Sequence, residues 1–353
     1  MTTVQPTARV LSTFRDVSAA LGEPSLTLDD GPITTLLRST ARGAETGGLA
    51  ASEQVASLLP LMERSARTLA EALPSAIPVD LLPSFAEPWS HALAIASSGV
   101  SLDKGRRLVG LARTVFLSAA HAASRGAATE SPDAVVEIAR ALTGYHSGVR
   151  SGDRSGDRSG DRSDARSGDR SPLAVQSFVA LAQTLPHMLA GAWLVLASQP
   201  GAWRLLRDEP GRRVRAIDEL LRLATPARAV FRRAAADVRI GDIRLCAGDE
   251  LVLMLQDANR CPVRFEDPDR FAPARDRPEH LGLGLAPHAC AGGALVRLAM
   301  RVATAALLDR FDEIALVGPV RWLDGFAIRA PASLTVVLHH HDGDGAKGDA
   351  CTP

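Results

Sequence analysis

The spacing of apolar positions predicts a chain built mostly from helices. Residues from about 52 to 74, 83 to 98, 103 to 124 and 132 to 145 carry apolar side chains at helical intervals, so each helix turns one face to a core. Val10–Leu21, VLSTFRDVSAAL, reads as a short strand running into a helix. Asp29-Asp30-Gly31-Pro32 reads as a helix start, with Pro32 near the first turn. Pro172–Gln199 is nearly uncharged and is closed by Pro200-Gly201. At about 1.5 Å per residue it spans roughly 40 Å, and its apolar character all round predicts a helix through the middle of a large domain. Pro186 lies inside it, so the carbonyl of Ala182 must lose its helical partner. Gly211–Leu223 and Leu295–Phe311 read as further helices. Short strands are expected around Val238–Ile243 and Glu250–Met254, and strand-like alternation runs up to Leu338. The expected fold class is mainly α with a minor β-sheet, in a single domain over residues 1–353.

Two segments fall outside this pattern. Ser151–Ser171, SGDRSGDRSGDRSDARSGDRS, is a four-residue repeat with no apolar side chain larger than that of the single Ala165. Its alternating charges and Gly-Ser pairs cannot repay ordering entropy, which predicts a disordered insert over residues 151–171. Residues 340–353 read as a frayed tail. The run His339-His340-His341 lies at its edge and is expected to be incidental rather than a metal site.

Composition narrows the function classes. The 353 residues are 46% hydrophobic and 23% charged, ordinary proportions for a chain with a sizeable core. Forty basic residues balance forty acidic ones, so no global charge attracts nucleic acid or an anionic membrane. The start, MTTVQPTARV, lacks the basic and apolar regions of a signal peptide, and no window holds eighteen unbroken apolar residues. Cys246, Cys261, Cys290 and Cys351 form no CxxC pair, which argues against a disulfide framework or a zinc site and for a reducing, cytoplasmic setting.

The segment that carries chemistry is Leu283–Gly292, LGLAPHACAG, directly before a helix. A cysteine there meets free backbone N–H groups and the positive end of the helix dipole, both of which stabilise a thiolate. Gly284 and Gly292 let the backbone approach a flat ligand closely. His288 could donate to an anionic substituent of that ligand. The bland alternative is an inert buried cysteine. Upstream, Glu219 and Arg222 stand three apart in DELLR and share a helix face. Pro268-Asp269-Arg270-Phe271 follows a polar loop.

These parts, in this order, resemble the cytochrome P450 family. Its cysteine loop, Phe-Gly-x-Gly-x-His-x-Cys-x-Gly, is matched by Leu283, Gly284, Ala286, His288, Cys290 and Gly292. The resemblance implies heme b as cofactor, with Cys290 as axial ligand of the iron; a thiolate pushes electron density onto heme iron and favours O–O cleavage. It implies that His288 and Arg232 contact heme propionates, as could Arg38, and that Glu219, Arg222 and Arg270 form a buried ionic network. LLPSFAEPWSHALAIASSGVS is similar to the family's Asp-x-x-x-x-Phe-Ala-x-Pro helix.

The departures are as specific. The family's first helix and initial strands have no match, Leu283 replaces the loop phenylalanine, and Ala286 replaces the second loop glycine. The family's Ala-Gly-x-acid-Thr is matched by Ala180, Leu181, Ala182, Gln183 and Thr184. The alcohol is kept, but Gln183 cannot shuttle protons as a carboxylate does. Thr184 could equally be a core threonine bonding back to a carbonyl.

Two functions follow. One is a heme monooxygenase of bacterial specialised metabolism, reduced by ferredoxin and ferredoxin reductase. Its expected substrate is apolar or carrier-tethered, because Phe178 and Ala229–Phe231 are apolar. The other is a noncatalytic P450-like auxiliary protein that partners a glycosyltransferase; the retained Cys290, His288 and Gly292 favour the enzyme.

Overall fold

The computed structural model describes residues 8–27, 52–125, 132–148, 171–275, 279–323 and 325–340. Arg38, the repeat up to Arg170 and residues 341–353 lie outside the described residues.

Helices dominate, and they follow the apolar periodicity. In chain order the amino-terminal elements are β1 (Arg9–Leu11), α1 (Phe14–Leu21), β2 (Leu26–Thr27) and α2 (Ser52–Ala72). Then come β3 (Pro78–Asp80), a π-turn at Leu82–Ala86, α3 (Glu87–Ser98), α4 (Leu102–Arg125) and α5 (Pro132–Gly148). The long apolar segment forms α6 (Ser171–Val179), a second π-turn at Ala180–Thr184, and α7 (Leu185–Ser198). Ser171, read as the end of the insert, is thus the first residue of a helix. Next are α8 (Ala202–Asp208), a short 3₁₀ turn and α9 (Arg213–Ala224). Strands β4 (Ala229–Ala234), β5 (Val238–Ile240), β6 (Ile243–Leu245) and β7 (Glu250–Met254) lead into α10 (Leu255–Ala258). The chain continues through α11 (Gly293–Leu308) to β8 (Glu313–Leu316) and β9 (Thr335–His339).

Among the described residues, three small sheets flank the helices. One has strand order β1-β7-β4-β2, one β3-β9-β8, and β5-β6 is a hairpin. The strand at Ala229–Ala234 escapes a sequence reading because its burial does not alternate cleanly: Ala229, Arg232 and Ala234 are buried along it.

The segment Ala174–Ser198 is long and apolar enough to cross a membrane, yet it is largely buried in the protein interior. Trp193 explains part of that burial: its ring meets Phe85 edge-on at 5.5 Å, and its Nε1 donates to Thr304 on α11 at 3.2 Å. Gly191 lets α7 cross α9 closely, since a Cβ there would lie 3.2 Å from the Ala224 carbonyl oxygen. His340, assigned above to the frayed tail, is instead stacked on Phe311 at 4.7 Å, and its Nδ1 stands 2.8 Å from the Arg310 carbonyl oxygen.

Candidate functional site

The site is built outward from α9. Glu219 and Arg222 are both buried there, and the guanidinium grips the carboxylate twice: Nε–Oε2 at 2.8 Å and Nη2–Oε1 at 2.9 Å. The third arginine is Arg275, not Arg270. Arg275 Nε donates to Glu219 Oε1 at 2.8 Å, and its other nitrogens donate to the carbonyls of Glu266, Asp267 and Arg270. Arg270 joins the network only through that carbonyl; its own side chain is 72% exposed, with Asp267 at 3.9 Å. The reason is the turn at Pro268–Arg270, which points its carbonyls inward at Arg222 and Arg275 and the Arg270 side chain outward. Arg275 was visible in the sequence only as the end of Phe271-Ala-Pro-Ala-Arg275.

The network reaches the cysteine loop through a residue that the sequence does not announce. Arg222 Nη1 donates to the Asn259 carbonyl at 2.7 Å, and Asn259 Oδ1 accepts the Leu281 N–H at 2.7 Å. Thr225, just after α9, donates to the Gly282 carbonyl at 3.1 Å. The start of the loop is thus tied both to Arg222 of the charge cluster and to the end of α9.

The loop then closes on itself. His288 N–H donates to the Leu285 carbonyl and Cys290 N–H to the Leu283 carbonyl, each at 2.7 Å. Gly284 has φ 72°, and a Cβ there would sit 2.4 Å from the His288 carbonyl oxygen. Only glycine fits this turn without strain. Gly292 caps α11, and a Cβ on it would meet only the Cys290 Sγ, at 3.9 Å. Protein atoms therefore leave open the side of Gly292 that a flat ligand would approach.

Cys290 stands at the amino end of α11 with its side chain accessible. Neighbouring protein atoms desolvate the thiol and push its pKa up, while the Gly292 N–H and the charge of Arg297 pull it down. Without a cation in front of it the thiol stays protonated at neutral pH. A bound metal ion would reverse that, because coordination deprotonates a thiol.

His288 and Arg232 lie close enough to repel each other. Burial lowers the His288 pKa, and the charge of Arg232 lowers it further. Arg232 is buried on β4 and is pushed down to about 10 by desolvation. Its Nε and the His288 Nε2 are buried with no hydrogen-bond partner among the described residues. Each side chain is partnered elsewhere, Arg232 Nη1 by the Phe231 carbonyl at 2.7 Å and the His288 ring by the Leu26 backbone. A buried nitrogen without a partner is nonetheless costly unless an anionic group joins it. The carboxylates of a heme would supply one, so the residues present fit that cofactor.

The long helix brings the remaining candidates to its π-turn. There the Leu185 N–H reaches back five residues to the Ala180 carbonyl, which accommodates the N–H missing at Pro186. Thr184 is half-buried, and its hydroxyl has no hydrogen bond among the described residues, so it does not bond back to a carbonyl. Gln183 is buried and leans toward the Val109 carbonyl on α4, at 3.4 Å.

Known proteins are similar to this chain in sequence and in fold. The family model described as Cytochrome P450 matches residues 214–317, which span the ion network and the cysteine loop. The chain is 33% identical to cytochrome P450 107B1 of Saccharopolyspora erythraea over 162 residues, covering 45% of this chain and 40% of that protein. It is 34% identical to the cyclomarin C epoxidase CymV of Salinispora arenicola over 155 residues, covering 44% and 39%. By sequence it therefore spans about two fifths of these relatives' length. In three dimensions the likeness is wider: the tirandamycin C-bound P450 monooxygenase TamI superposes with a TM-score of 0.74 at 26% identity, over 94% of this chain and 89% of that one. A Glu-Arg-Arg cluster tied to a cysteine loop, on this fold and with these relatives, makes the chain similar to the cytochrome P450 family, in sequence across residues 214–317 and in fold over most of its length.

Proposed function

We propose that this chain is a heme-thiolate monooxygenase of bacterial specialised metabolism that oxidises an apolar or carrier-tethered intermediate. The observation that carries this reading is the accessible Cys290 at the start of α11, together with the buried Arg232 Nε and His288 Nε2, which lack a partner among the described residues. Members of the family bind heme b. When bound, the heme would supply the redox chemistry that the protein side chains lack.

The chain's own residues would do the rest. Cys290 would hold the iron, with its thiolate stabilised by the Gly292 N–H and by Arg297. Arg232 and His288 would each donate to the propionates, which gives those two nitrogens a partner. Arg38 would add a third contact by resemblance. Gly284 and Gly292 would keep side chains off the ring. Glu219, Arg222 and Arg275 would fix the loop from behind through Asn259. The π-turn would present the free Thr184 hydroxyl to the substrate side of the site, with Gln183 held back against α4.

An apolar substrate is supported by the cluster of Ala229, Val252 and Met254 with Phe231 and Phe326, and by buried Phe178 on α6. Electrons would come from a ferredoxin and its reductase. Relatives named for cyclomarin C and tirandamycin C support a place in natural-product assembly.

The test is a titration of the heme-loaded ferric protein with dodecanoic acid and with the dodecanoyl thioester of an acyl carrier protein. A low-spin to high-spin shift with either probe, and dioxygen uptake driven by reduced ferredoxin, is the expected result. Heme-loaded protein that shows no shift and no uptake would favour the auxiliary role beside a glycosyltransferase.

A further inference from the structure

The π-turn that holds Thr184 is flanked by two histidines that the heme-site reading leaves unused. His91 on α3 faces the Ala182 carbonyl, the acceptor that Pro186 leaves without its usual N–H. His187 follows Thr184 by three residues on α7, so the two side chains are neighbours on one helix face. His187 is buried, and its ring lies flat on Phe116 of α4, with centroids 5.4 Å apart and planes 8° from parallel. Its Nδ1 stands 2.9 Å from the Pro331 carbonyl oxygen. A carbonyl only accepts, so Nδ1 carries the proton and Nε2 keeps its lone pair. The imidazole is therefore fixed in plane, in place and in tautomer. Position 183 offers nothing comparable, since a glutamine does not titrate.

We propose that His187 is the acid–base group of this site, acting next to the Thr184 hydroxyl and taking the part that a carboxylate at position 183 would otherwise play. The proposal deepens the heme-enzyme reading above and rests on it. Burial holds the imidazole below its ordinary range and Arg113 pushes it the same way, while the Pro331 carbonyl and the charge of Glu87 oppose them. His91 sits in the same field, lowered by burial and by Arg113 and raised by the Ala182 carbonyl. The charged and titratable groups that act on His187 are thus Glu87 from α3 and Arg113 from α4, with His91 on the same side of the π-turn. At neutral pH His187 is an uncharged base.

With hydrogen peroxide as oxidant the step balances. Nε2 takes the proton from one peroxide oxygen and returns it to the other, which leaves as water when the O–O bond breaks with both electrons. The two oxidising equivalents then pass to two molecules of guaiacol. Each gives up one electron and one proton, and the second oxygen also ends as water.

The experiment is peroxide-driven guaiacol oxidation by the heme-loaded protein across pH 5 to 8, paired with proton NMR titration of the His187 ring in the heme-free protein. The wild-type rate should fall as pH drops through a midpoint below about 6.5. His187→Gln keeps a donor for the Pro331 carbonyl but cannot titrate; it should lower the rate by about 100-fold or more and remove the acid limb. His91→Gln should leave the limb in place. Arg113→Gln, at an exposed residue, should move both the limb and the NMR midpoint to higher pH, because loss of a nearby positive charge favours the imidazolium. This second variant carries the test if His187→Gln fails to take up heme. An unchanged rate and limb in His187→Gln, or an unmoved midpoint in Arg113→Gln, overturns the proposal while the heme reading stands. Wild-type protein that takes up no heme overturns both.

Discussion

Arg222 and Asn259 are joined at 2.7 Å, guanidinium Nη1 to backbone carbonyl, and the same asparagine accepts the Leu281 N–H on its side-chain oxygen. This contact links the buried Glu219–Arg222–Arg275 cluster to the start of the cysteine loop. The cluster is therefore placed to shape the loop as well as to support the core.

The cluster should respond unequally to truncation. Glu219→Ala strands two buried guanidinium groups and should cost about 3–5 kcal/mol, the range for breaking a buried ion pair. Arg275→Ala should cost about 1.5–3 kcal/mol through its lost charge-assisted hydrogen bonds. Arg270→Ala, at an exposed side chain, should stay within about 0.5 kcal/mol of wild type. Urea unfolding of the three variants checks the order. Equal effects at Arg270 and Arg275 would contradict the geometry.

The two loop glycines should separate folding from cofactor uptake. Gly284→Ala forces a left-handed conformation, costing about 1–2 kcal/mol, and also drives a Cβ into the His288 carbonyl. It should lower the melting temperature of the heme-free protein. Gly292→Ala meets almost nothing within the protein and should leave that temperature nearly unchanged while weakening heme binding. Melting curves without heme and hemin titration followed at the Soret band read the two effects separately.

Much of the fold was legible because the helices bury broad apolar faces. The spans near residues 52–74 and 103–124 are helices within a residue or two of the expected ends. The likeness to the cytochrome P450 family, too, could be read from the cysteine loop. Other features depend on contacts distant in sequence and leave no local pattern. Arg275 and Arg270 are both arginines in one polar loop, and only the direction of a turn decides which one meets Glu219. Asn259 acts through its carbonyl as much as its side chain, and a backbone acceptor has no sequence signature. The proline signal at position 186 was clear, but its consequence, a π-turn at Ala180–Thr184 with His91 facing the released carbonyl, needed the neighbouring helix.

Arg232 should behave as a residue kept for its ligand. Buried beside His288 without an anion, it costs the heme-free protein stability. Arg232→Met keeps much of the volume and removes the charge. It should hold or raise the unfolding free energy of the heme-free protein while lowering heme affinity, as measured by urea unfolding and hemin titration. A large loss of stability in the heme-free variant would mean that its hydrogen bond to the Phe231 carbonyl outweighs the cost of burying the charge.

The central claim is that Cys290 holds a heme iron as its thiolate. The direct measurement is the absorption spectrum of the reduced protein under carbon monoxide, for wild type and Cys290→Ala, each prepared with heme precursor. Wild type should show the long-wavelength Soret band of a thiolate-ligated ferrous carbonyl, and Cys290→Ala should lose it. Wild-type protein that binds heme without that band, or a Cys290→Ala variant that keeps it, would contradict the assignment.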